Sequence, residues 1–62
     1  PSLGNYKTIT TDNLRFKEPG SMYFDIVFVE NWSLCNMSQQ EFIDKLYYRN
    51  SHIEFNNIVF LG

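Results

Sequence analysis

Sixty-two residues with a formal net charge of −2 make one domain at most. Hydrophobic residues at 44% and aromatics at 18%, against 19% charged, exclude a disordered chain. Five basic against seven acidic side chains exclude the basic stripe of a typical nucleic-acid binder, and −2 is far too mild for an acidic mimic of nucleic acid.

The first five residues, Pro1 to Asn5, lack the charged and apolar regions of a signal peptide. No run of 18 apolar residues offers a membrane span. Cys35 is the only cysteine, so no internal disulfide can form, and a reducing, cytoplasmic setting is expected. Asn, Phe, Ile, Tyr and Lys together make 25 of the 62 residues, a bias toward AT-rich codons that points to an AT-rich genome, a phage or a mobile element.

Tyr6 to Thr10 reads as a strand and Thr11-Asp12-Asn13 as a turn. Leu14-Arg15-Phe16-Lys17 is placed to pair with the next strand across the turn signal Glu18-Pro19-Gly20-Ser21. Gly20-Ser21-Met22 also has the form of a fusion junction before a start methionine, which would make residues 1–19 an appended peptide. Met22 to Val29 is a strand rich in β-branched and aromatic residues. Strict alternation puts Met22, Phe24, Ile26 and Phe28 on one face and Tyr23, Asp25, Val27 and Val29 on the other. A loop from Glu30 to Asn36 holds Trp32, Leu34 and Cys35.

Ser38-Gln39-Gln40-Glu41 is a capping box, and Met37 with Phe42 is spaced as a hydrophobic staple. Phe42, Ile43, Leu46 and Tyr47 recur at helical spacing, Glu41 and Lys45 form an i,i+4 pair, and Asn50 is a stop in the left-handed region. The helix is therefore expected over 38–49. His52 to Leu61 is extended again, with two readings. Either one strand is broken by a bulge, because Ile53 and Phe55 change phase with Ile58 and Phe60, or Asn56-Asn57 is a hairpin turn. These elements predict an α+β domain: a small antiparallel sheet of three to four strands with one helix packed across it.

Chemistry-bearing groups are sparse. Cys35 and His52 are the only nucleophile and base of a conceivable dyad, and nothing in their spacing brings them together. One Cys and one His cannot make a four-ligand zinc site, and Glu41 with Asp44 reads as a solvated helical face near the N-terminal end of the dipole. The three glycines, Gly4, Gly20 and Gly62, are isolated and make no phosphate loop. Asn31-Trp32-Ser33 and Asn36-Met37-Ser38 match the glycosylation pattern, a chance match among seven asparagines. No catalytic residue, metal, cofactor or small-molecule substrate is expected.

The feature with most weight is surplus apolar surface. One helix covers one face of a small sheet, yet Met22–Val29 is apolar on both. Either the N-terminal segment covers the second face or a partner does. The reading is a small, non-enzymatic protein-binding protein, an inhibitor or regulator (an anti-defence factor is one case) that occludes a site on a host protein. Self-association as a dimer is expected alongside. Tyr23, Trp32 and Tyr48 are the expected anchors, with Val27 on the docking face and Ile26 as the alternative, because alternation does not say which face the helix takes. The alternative is an oligomeric nucleic-acid-binding regulator using Lys7, Arg15 and Lys17, with Tyr6 and Phe16 interleaved.

Overall fold

The computed structural model describes residues 4–16 and 22–62. In chain order they form β1 (Tyr6–Thr10), β2 (Met22–Glu30), a 3-10 turn (Trp32–Leu34), α1 (Gln39–Arg49) and β3 (Ile53–Phe60). The turn signal at 18–21, the fusion junction and Lys17 lie outside the described residues.

The sheet has the order β1-β2-β3, and both pairings are parallel. This corrects the antiparallel expectation. Tyr6 pairs with Ile26 and Thr10 with Glu30, while Met22 pairs with Ile53 and Val29 with Phe60. The physical reason lies in Leu14–Phe16, which was expected to pair with β2. Its backbone is engaged elsewhere: Phe16 N–H donates to Asn50 Oδ1 at 2.8 Å, and Leu14 C=O accepts from Asn50 Nδ2 at 2.5 Å. The segment is therefore the middle of a crossover, and the Phe16 ring lies 5.6 Å from that of Phe24.

The helix forms where its signals stand. Ser38 Oγ accepts from Glu41 N–H at 3.1 Å, and Lys45 Nζ sits 3.7 Å from Glu41 Oε2. Phe42 and Leu46 enter the core. The left-handed stop expected at Asn50 is not observed, since its φ is −133°. The helix ends instead through that side chain. Asn50 N–H and Nδ2 both donate to Leu46 C=O, at 3.0 and 2.9 Å, and the carboxamide turns to the crossover. Asn50 is the buried polar residue of the described chain.

The hairpin reading of Asn56-Asn57 is likewise overturned, because β3 runs unbroken through both. Neither strand gains a residue: Phe24 faces Phe55 and Ile26 faces Asn57 at one constant offset. Yet burial changes phase in both together, from Phe24 to Val27 and Val29 on β2, and from Ile53 and Phe55 to Ile58 and Phe60 on β3. Asp25-Ile26 and Asn56-Asn57 are the matching two-residue steps. Strict alternation along β2 was thus wrong beyond Asp25.

Two connections of the same hand that step the same way across a parallel sheet lie on the same face. Phe16 from the first and Phe42 and Leu46 from the second accordingly share one core with Ile9, Phe24, Val27, Val29 and Ile53. The domain has two layers. Among the described residues, the opposite face of the sheet has no layer over it.

The open sheet face as candidate functional site

Alternation against the core assigns the open face. Ile9 and Val27 point inward, so Tyr6 and Thr8 of β1, Ile26 and Phe28 of β2 and Val59 of β3 lie on the other side. Tyr6 meets Phe28 edge to face, with ring centroids 6.0 Å apart at 76°. Tyr6, Tyr23 and Val59 remain 54%, 49% and 38% exposed. A contiguous apolar strip of this kind is normally covered when a sheet is all parallel.

The strip ends at a rigid acidic group. Asn5 N–H donates to Asp25 Oδ2 at 2.9 Å, Asp25 N–H donates to Asn5 C=O at 2.7 Å, and Asn5 Nδ2 donates to Tyr23 C=O at 2.6 Å. Gly4 closes this bracket with φ +81°, and a Cβ there would collide with the Asp25 carboxylate. Desolvation raises the Tyr23 phenol above its ordinary range, and so do the charge and hydrogen bond of Asp25 and the charge of Glu54. Glu30 and Glu54 fall on this side by alternation. The described basic residues fall elsewhere: Lys45 and Arg49 on α1, Arg15 in the crossover, and Lys7 in phase with Ile9. The face is apolar at its centre and acidic at its margin.

The four residues expected to bind the partner do not converge. Tyr23 is on the open face. Val27 is fully buried in the core, which corrects its place on a docking surface and leaves Ile26 as the outward residue. Trp32 is half-buried, with its ring 4.5 Å from Phe60 and 5.3 Å from Phe42, and fastens the 3-10 turn to the core. Tyr48 is 88% exposed on α1, in the layer away from the open face. Of the alternative set, Lys7 and Arg15 lie on different elements. Tyr6 stood only in the alternative set and Ile26 only as the second choice of face; Phe28 and Val59 were not singled out. The phase break noted between Phe55 and Ile58 was the signal that would have found them, had it been carried across to β2.

Cys35 is half-buried in the loop and His52 exposed in the turn before β3. No group of three or more His, Cys, Asp or Glu able to hold a metal occurs among the described residues. No helix among them is long and apolar enough to cross a membrane. Compared with protein-family models, curated proteins and solved structures, the chain matches none.

Proposed function

We propose that the chain is a protein-binding module, an inhibitor or regulator that docks its open sheet face on another protein and occludes the surface it covers. The observation that carries this reading is the side of an all-parallel sheet that no described element covers, with Tyr6, Ile26, Phe28 and Val59 in one strip. The margin selects the partner. Asp25, Glu30 and Glu54 favour a surface with an apolar centre and Lys or Arg around it. A two-fold dimer through this face would set these acids against their own copies, so a different protein is the occupant. The single unpaired cysteine suits action in a reducing cytoplasm.

The test is an amide NMR titration with two synthetic peptides, one alternating leucine and lysine, the other leucine and glutamate. The lysine peptide should bind at least about tenfold more tightly and shift Tyr6, Ile26, Phe28 and Val59. Glu30→Lys with Glu54→Lys should reverse the preference, while Asp44→Lys on the helix should leave it unchanged. Equal binding of both peptides would remove the charge argument; shifts confined to the helix layer would remove the docking face.

A further inference from the structure

Asn50 fixes more than the end of the helix. Its carboxamide holds the backbone on both sides of Arg15, and its neighbour in sequence is Arg49. The two arginines therefore project from backbone that is tied together across the fold. Both line one recess of about 280 Å³, with Thr11, Asp12, Asn13 and Leu14. Both are exposed, and neither guanidinium has a hydrogen-bond or ion-pair partner among the described residues. Asp12, the acid of the recess, accepts from the Thr10 hydroxyl at 2.6 Å.

Two guanidinium groups lining one recess can share an oxyanion through two charge-assisted contacts. We infer that the Arg15–Arg49 recess binds a compact phosphate monoester. Arg15 and Arg49 supply planar donor forks, and the Thr11 hydroxyl and Asn13 amide are further donors on its wall. A nucleic-acid backbone suits it less, because successive phosphates need a basic track. Here the charges around the arginines are mixed: Asp12 on the wall and, in the helix groove that Arg49 also lines, Glu41, Asp44 and Lys45. The recess belongs to the crossover and helix, so it stands apart from the docking face.

The experiment is an amide NMR titration of the whole chain with phenyl phosphate, at constant ionic strength set with chloride. Saturable shifts at Thr11–Arg15 and Arg49 are expected, with a dissociation constant of about 1 mM or tighter. Arg15→Gln and Arg49→Gln should each weaken binding about tenfold, with the spectrum elsewhere unchanged. Asp12→Asn should strengthen it, because a like charge leaves the wall. Absence of saturable shifts at the recess, or glutamine variants that bind as the parent does, would overturn the inference. So would Asp12→Asn weakening the site. Tighter binding of an oligothymidylate at the same amides would replace the monoester with a polymer ligand.

Discussion

Asn50 shows what one buried amide can do in a chain this small. It accepts from Phe16 N–H and donates to Leu14 C=O and Leu46 C=O, so three backbone groups from two segments are satisfied at once. Asn50→Leu should destabilise by at least ~1–3 kcal/mol, the usual cost of leaving a buried polar group unpaired, read from the urea midpoint. Asn50→Asp keeps the acceptor for Phe16 but turns a second oxygen toward two carbonyls. That environment raises the introduced carboxyl's pKa on folding, so its contribution is intact below the unfolded carboxyl range, about 4, and lost as pH rises through the folded value. Relative to the parent, the variant should thus be least impaired in acid. Tyr23 follows the same sign at the alkaline end. Its folded pKa is raised, so the neutral phenol's stabilising contribution is present below about pH 10 and lost above it. Ultraviolet titration should show a tyrosine titrating above the ordinary phenol range, and Asp25→Asn should bring it earlier. Cys35→Ser should change neither stability nor peptide binding, since the thiol is assigned no partner.

Local elements were legible in the sequence because their causes are local. The box at Ser38 and Glu41, the stripe of Phe42 and Leu46 and the pair with Lys45 lie within a few residues of one another, and α1 forms there. Ser38→Ala should cost ~0.5–2 kcal/mol by loss of the Glu41 amide's partner; an unchanged denaturation midpoint would show that the cap contributes nothing. The strand at Met22 was equally plain, yet its partners were not. Nothing within 14–16 announces that its backbone will be taken by a side chain 34 or more residues away. The Glu18–Ser21 turn signal therefore suggested a hairpin where the chain makes a crossover. Alternation along β2 failed at Asp25 for a related reason. The step there is matched by one at Asn56-Asn57 on the neighbouring strand, and only the pair of strands together makes the register consistent.

At the scale of the molecule, adjacent residues of β2 should separate the two roles of the sheet. Val27→Lys puts an unpaired charge in the core and should abolish the cooperative transition. Ile26→Lys should retain the helix signal in circular dichroism and lose the leucine–lysine peptide. If both variants fold equally, the assignment of faces fails. The parallel topology also reaches into how the chain folds. Tyr6 and Ile26 stand 20 residues apart and Met22 and Ile53 stand 31 apart, so no strand pair in the described sheet can zip from a tight turn. Each ladder must close a long loop before its contacts repay the lost entropy. The capped helix is the one element able to form early, and the sheet must wait for both crossovers to settle. Refolding should be slow for a protein of this length, and shortening neither strand would speed it.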